Sequence, residues 1–459
     1  MLLLAIDWTM VGIKAGQLIL ALSILVILHE FGHYITARWF GCRVEKFYLF
    51  FDPWFSLFKK KVGDTEYGIG WLPLGGYVKI SGMIDESMDT ETMKQPPKQW
   101  EFRSKPAWQR LIIMLGGIIM NVIVAILVYA MVLYVWGEQK VPVSSMKNGI
   151  TFQDSIFYQI GFRQGDKIVS VDDKPIEYYD QLTYAVITGT KATVERNGEF
   201  INLPFPESLL GDLISRKKSG TLSLDPRVPA YLASFDGLNQ TTPAMAAGLQ
   251  GGDLILAIDE QPLTYFDEIR GLLLNGTSDT VMLSVLRGQD TLLIKSGLTD
   301  ERKLGIIPII YDWTKMDSMG LVKLVKKEYG LLAAIPAGVS KTQEKLVMYI
   351  SQFKKILNPK TGAYKGLGGF KAIANAFPGV WDWQSFWSMT AFLSIVLAFM
   401  NLLPIPALDG GHVVFTLYEM ITGRKPNEKL LEYAQMAGMI FLLLLMLYAN
   451  GNDWFGWGK

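Results

Sequence analysis

The stretch "ILHEFGHYIT", residues 27–36, sets two histidines and a glutamate at the end of a run that is otherwise almost wholly apolar from Ala15 to Leu28. Lys14 and Arg38 bracket it. About 20 apolar residues suffice to cross roughly 30 Å of hydrocarbon, so a membrane span is expected from Ala15 to Ala37. Ionisable side chains are costly at that depth and mark a functional site. The reading fixes both the fold class, a helical membrane protein, and the place to look for chemistry. The segment lacks a basic leader and a small-residue cleavage site, and is expected to be retained.

Composition agrees with a chain partly in and partly out of a membrane. Of 459 residues 50% are hydrophobic, and the mean hydropathy is +0.23. Lys+Arg 44 against Asp+Glu 43 gives a net charge of +1, which argues against a nucleic-acid partner. Cys42 is the single cysteine, so no internal disulfide forms.

Three further spans are expected: Leu111–Trp136, Trp383–Leu408, broken near its end by Pro404 and Pro406, and Tyr433–Tyr448. Basic residues follow the first span (Arg38, Arg43, Lys46), precede the second (Arg103, Lys105, Arg110) and lie between the last two (Arg424, Lys425, Lys429). This bias orients those loops to the cytoplasm and the stretch 137–382 outward.

The outer stretch repeats itself. "IGFRQGDKIVSVDDKPI" (160–176) aligns without gaps to "AGLQGGDLILAIDEQPL" (247–263), an offset of 87 residues. Gly161, Gly165, Asp166, Ile168, Asp172 and Pro175 match Gly248, Gly252, Asp253, Ile255, Asp259 and Pro262. Each copy reads as a Gly-Asp turn, a short alternating strand and a turn closed by proline. Both resemble PDZ domains, and the expected organisation follows. Residues 1–136 hold two spans and a β-hairpin loop, 137–225 and 226–312 are PDZ domains, 313–382 is a helical connector, and 383–459 hold the last two spans. In the connector Leu346, Ile350, Phe353 and Leu357 place an amphipathic helix over Lys341–Leu357, ending in Lys354 and Lys355. Between the first spans, "TEYGIGWLPLGGYVKI" (65–80) reads as a hairpin dipping into the membrane face, or as a hydrophobic staple for the loop.

His-Glu-x-x-His on a helix puts two imidazoles one turn apart on one face, with Glu30 beside them. Neutral His29 and His33 can bind Zn2+ while Glu30 accepts a proton from the attacking water. The chain has only 3 histidines, and two fall in this pattern. A catalytic zinc needs a third protein ligand, and "YITARWF" after His33 offers none. At membrane depth "NLLPIPALDGGH" (401–412) offers Asp409, at a backbone break of the kind tolerated only around a cavity. His412 competes for that role. Asp409 is favoured because it would otherwise be an unpaired acid at the membrane boundary.

HEFGH in the first span, "GGYVKI" in the loop after it, an Asn in the second span and N-x-x-P-x-P-x-L-D-G-G together resemble the site-2 proteases, from about residue 15 to 450. The chain departs from the family's usual Gly-Pro at "LGGIIMN" (Gly116, Gly117, Asn121) and at "LGGFKAI" (367–373). The resemblance implies one zinc held by His29, His33 and Asp409, with Glu30 as the base. It also implies Asn401 on the substrate or oxyanion, and the 65–80 hairpin, with Gly75, Gly76 and Tyr77, receiving the substrate strand. It implies an intramembrane endopeptidase of the bacterial inner membrane with its PDZ pair on the periplasmic side. Its substrate would be a single-span protein, an anti-sigma factor or remnant signal peptide already trimmed outside. PDZ peptide ligands are further partners. Two other classes fit less well: a non-proteolytic metal-binding PDZ scaffold, for which an intact glutamate is unneeded, and a transporter, which calls for broken helices in both halves.

Overall fold

The computed structural model describes residues 7–83, 96–216, 224–232, 241–307, 309, 311–425 and 427–457. The chain divides into two compact units, one of residues 1–138, 328–359 and 363–459, the other of 139–327 and 360–362.

In the first unit four helices are long and apolar enough to cross a membrane: α1 Trp8–Trp39, α2 Ala107–Trp136, α4 Trp383–Leu402 and α6 Glu428–Phe455. Between them in sequence lie α3 Leu331–Leu357 and α5 Asp409–Thr422. Helix α1 begins seven residues before the expected Ala15, because Asp7 caps it by accepting from the Thr9 and Met10 amides. Lys14 does not end it, since its ammonium reaches Asn375 Oδ1 at 3.2 Å. The third span stops at Leu402, short of the expected Leu408. Pro404 and Pro406 carry no amide hydrogen, and the chain turns before α5 starts at Asp409. The amphipathic helix of the connector begins ten residues before the expected Lys341 and ends with Lys354 and Lys355 in its last turn, as expected. It packs on α2, and Lys341 meets Glu138 at 2.9 Å.

Residues 44–80 form a four-stranded sheet, not the expected simple hairpin. Its strands are β1 Val44–Phe51, β2 Phe58–Val62, β3 Thr65–Ile69 and β4 Leu72–Ile80, in the order β2-β3-β1-β4. Strand β1 separates the two halves of the 65–80 stretch, pairing parallel with β3 and antiparallel with β4. The true hairpin is β2–β3. The aromatic "FYLFF" explains the difference: it is the central strand, sheltered on both edges. The register aligns rows across the sheet. One row holds Phe58, Ile69, Leu49 and Gly76; another holds Lys61, Glu66, Lys46 and Lys79.

The second unit shows the 87-residue repeat as structure. The first copy orders its strands 174–175, 167–171, 191–196, 199–204, and the second 261–262, 254–258, 280–287, 290–297. Each has a helix between the second and third of these strands in the chain, Tyr179–Thr188 and Glu268–Asn275. Even isolated bridges keep the offset, Pro142 with Tyr178 and Pro229 with Tyr265. The paired turns at Asp172-Asp173 and Asp259-Glu260 have positive φ at both residues, the tight hairpin geometry that acidic residues tolerate. Asp166 and Asp253 are each 1% exposed and clamped by an arginine, Arg196 and Arg287, through two nitrogens at 2.7–2.8 Å. Those arginines stand 91 residues apart, so a search at offset 87 misses them. At the start of the second copy Arg227 reaches Asp267 and Glu268 at 3.0 Å and covers the Tyr265 ring at 4.0 Å.

Candidate metal centre

The centre is built where α1 crosses α2. His29, Glu30 and His33 lie on α1, and Gly117 of α2 passes directly over both imidazoles. A Cβ there would stand 2.4 Å from His33 Nε2 and 2.5 Å from His29 Cε1. From the other side α5 brings Asp409 in at its first residue. His29 Nε2, His33 Nε2 and Asp409 Oδ2 form a triangle with sides of 3.2, 3.3 and 3.3 Å.

A tetrahedral zinc with bonds of about 2.0–2.1 Å separates its ligand atoms by about 3.3–3.4 Å. The triangle has that size. Asp409 Oδ2 is buried and makes no hydrogen bond, despite its two close nitrogens. The tautomers also fit. His33 Nδ1 lies 2.8 Å from the Ile113 carbonyl, to which it can only donate, leaving Nε2 its lone pair. Asn121, fully buried, sets Nδ2 3.1 Å from His29 Nδ1, while its own Oδ1 has no partner. A half-turn of the amide exchanges those atoms. His29 Nδ1–H then donates to Oδ1, and His29 Nε2 also turns its lone pair to the centre. Two imidazole nitrogens and a carboxylate oxygen form a donor set suited to zinc.

Glu30 lines the same cleft of about 780 Å³ as the three candidate ligands, together with Asn401 and His412. Asn401, on the last turn of α4, presents Nδ2 3.2 Å from His29 Nε2. His412 contributes no atom to the triangle. Gly75, Gly76 and Tyr77 of β4 face the cleft. The strand lies tight against α1, because a Cβ on Gly76 would fall 2.7 Å from Val26 Cγ1 and 3.6 Å from Glu30 Cγ. Tyr77 is fixed by stacking on Tyr48 and Phe51 and donates to Asp52 Oδ1 at 2.8 Å. Burial and that carboxylate push its phenol pKa well up. Among the described residues β4 is an edge of the sheet, and no strand pairs with its side away from β1.

A family model described as Peptidase family M50 matches residues 17–445. The chain belongs to that family. It is similar to the regulator of sigma-E protease of Escherichia coli, 29% identical over 457 residues, 95% of this chain and 97% of that protein. It is also similar to the regulator of sigma E protease of Haemophilus influenzae (28% over 461 residues, 95% and 98%). A Vibrio cholerae protein named for a zinc metalloprotease is 29% identical over 458 residues, 95% and 97%. Membership in M50 and these names make the chain a zinc metalloprotease, with one site among the described residues where two histidines and an aspartate converge. In the sequence Gly117 and Asn121 stand out only as part of the departing "LGGIIMN". Their contacts to the imidazoles come from the crossing of two helices and carry no local signal. The Ile113 carbonyl was invisible for the same reason.

Proposed function

We propose that the protein is an intramembrane zinc endopeptidase in which His29, His33 and Asp409 hold the metal and Glu30 is the general base. The observation that carries this is the 3.2–3.3 Å triangle of ligand atoms, with Glu30 in the same cleft, among helices long and apolar enough to cross a membrane. Bound zinc supplies Lewis-acid polarisation of the scissile carbonyl and acidifies the attacking water. Glu30 takes the proton of that water and returns it to the departing amine. Asn121 and the Ile113 carbonyl hold the imidazoles in the tautomers that present Nε2. Asn401 directs an amide donor at the place where negative charge gathers on the carbonyl oxygen.

A transmembrane helix hides its carbonyls in its own hydrogen bonds, so the substrate must unwind before it is cut. An extended segment added to the open edge of β4, along Gly75, Gly76 and Tyr77, presents one peptide bond to the centre. The substrate class is a single-span membrane protein, an anti-sigma factor or remnant signal peptide already trimmed outside. The bacterial inner membrane is the site of action. The copies at 137–225 and 226–312 act as a PDZ pair on the periplasmic side, and the basic loops face the cytoplasm. A non-proteolytic scaffold would need ligands but no Glu30.

The test compares Glu30→Gln with the parent protein for zinc content and for membrane-embedded fragments in cells. The variant is expected to retain its zinc and lose all cleavage. Substantial residual proteolysis overturns the assignment of Glu30.

A further inference from the structure

The four-stranded sheet carries a second surface that the proteolytic reading does not use. Strand β2 is exposed along its whole length and reads Phe-Lys-Lys-Lys-Val. Lys59, Lys60 and Lys61 make no ion pair among the described residues. The acids nearest in sequence are already engaged: Glu66 accepts from Tyr48 Oη at 2.7 Å, and Asp64 lies 3.3 Å from Arg43. Beyond the other end of β2 stands an apolar cluster. Trp54 is 91% exposed, and Phe55, Leu57 and Phe58 are also exposed. Trp71 stacks on both Trp54 and Phe55.

The register gives these features a depth. Val44 and Ile80 share a core cluster with Ala37, near the last turn of α1, while Gly76 touches Val26. Eleven residues of helix separate Ala37 from Val26, about 16 Å. The sheet therefore runs down α1 from its basic end toward the bilayer interior. The row through Phe58, Ile69, Leu49 and Gly76 is at the deep end, and the row through Lys61, Glu66, Lys46 and Lys79 is nearer the surface. Among the described residues the outer edge of β2 has no strand beyond it. Unpaired backbone and three cations cannot face hydrocarbon, and stacked indoles do not belong in bulk water. Only the headgroup band offers both surroundings within one short strand.

We propose that β2 is a binding edge for anionic phospholipid headgroups, with Lys59, Lys60 and Lys61 on the phosphates and the Trp54–Trp71–Phe55 stack seated in the acyl chains beneath. Three clustered cations against a negative leaflet are complementary in charge. Lysine stems can also lie along apolar surface while their ammonium groups reach outward. The edge strand at one side of the sheet then grips lipid while β4 at the other stays open. This inference does not depend on the proteolytic role.

The test reconstitutes the full chain in phosphatidylcholine bilayers with trace spin-labelled phosphatidylglycerol or phosphatidylcholine, and reads the protein-immobilised fraction of each. The intact protein is expected to prefer phosphatidylglycerol at low ionic strength and to lose that preference in molar salt. A lysine near an anionic surface favours it by about fivefold. Replacing Lys59, Lys60 and Lys61 together by Gln should therefore lower the preference by about fivefold or more. The matching Lys→Arg triple should keep it. Lys354→Gln with Lys355→Gln, two cations on another element, should leave it within about twofold. An unchanged preference in the Gln triple overturns the proposal. So does its loss in the Arg triple, which would make shape rather than charge the cause. Abolition by inorganic phosphate at constant ionic strength would also overturn it, in favour of a free-phosphate site.

Discussion

Replacing Gly117 by alanine tests the centre through a residue that is neither ligand nor base. The new methyl would lie 2.4 Å from His33 Nε2, 2.5 Å from His29 Cε1 and 2.8 Å from His29 Nδ1. An ordinary carbon contact needs about 3.4 Å or more, so the rings must yield by about 1 Å. Helix α2 cannot retreat instead without opening its contact with α1, where a Cβ on neighbouring Gly116 would lie 2.6 Å from the Gly32 carbonyl oxygen. Metal sites tolerate about 0.2 Å in ligand position, and overpacking of this kind costs about 1–3 kcal/mol. If about 2.7 kcal/mol falls on the metal, zinc affinity drops about 100-fold. The assay is competition for zinc between the purified protein and a chelating dye, with a thermal melt to confirm the fold. Gly16→Ala on α1, which meets nothing within 4 Å, is the control and should bind zinc like the parent. Parental zinc affinity in Gly117→Ala would refute the arrangement of α2 over the imidazoles.

Asp409→Ala should lose most of the bound zinc and His412→Ala should keep it, as metal analysis of the purified variants will show; the reverse result transfers the ligand role to His412. Asn121→Ala should weaken zinc binding by about 10–100-fold, the usual effect of removing a group that orients a ligating histidine, and a chelator titration measures it. Replacing residues 140–326 by a Gly/Ser linker should leave zinc content unchanged, because the candidate ligands all lie in the other unit. If the repeated pair restrains access, the excised protein should also cut untrimmed substrates; a zinc-loaded but inactive excision favours recruitment instead. Arg287→Ala should lower the melting temperature of the second unit, because it strands the buried Asp253 carboxylate.

What could be read in the sequence was whatever a local pattern encodes. A spacing of four from His29 to His33 is about one turn of any helix. Pro404, Pro406 and Gly410 break a helix by their own chemistry, which made Asp409 conspicuous. The 87-residue repeat announced two similar folds. Features that depend on which elements meet were not legible. Strand β1 lies between β3 and β4 because its aromatic residues need cover on both edges, and no spacing in 65–80 shows that a third strand intervenes. Arg196 and Arg287 hold equivalent aspartates but break the repeat offset, because the second copy adds two residues before this strand and two within it. Gly117 and Asn121 acquire meaning only at the crossing of α1 and α2.

The triangle of donor atoms draws on widely separated parts of the chain. His29 and His33 leave the ribosome first, and Asp409 follows His33 by 376 residues. At about 5–20 residues per second of synthesis, some 20–75 s separate them. Through that interval the nascent chain has Glu30 and two imidazoles in the membrane but no third ligand. On the proposed ligand set it cannot assemble a working centre beside the translocation machinery, where unprotected transmembrane helices are abundant. On that ligand set hydrolytic competence arrives only once Asp409 has been made, so a chain cut short before it is inert.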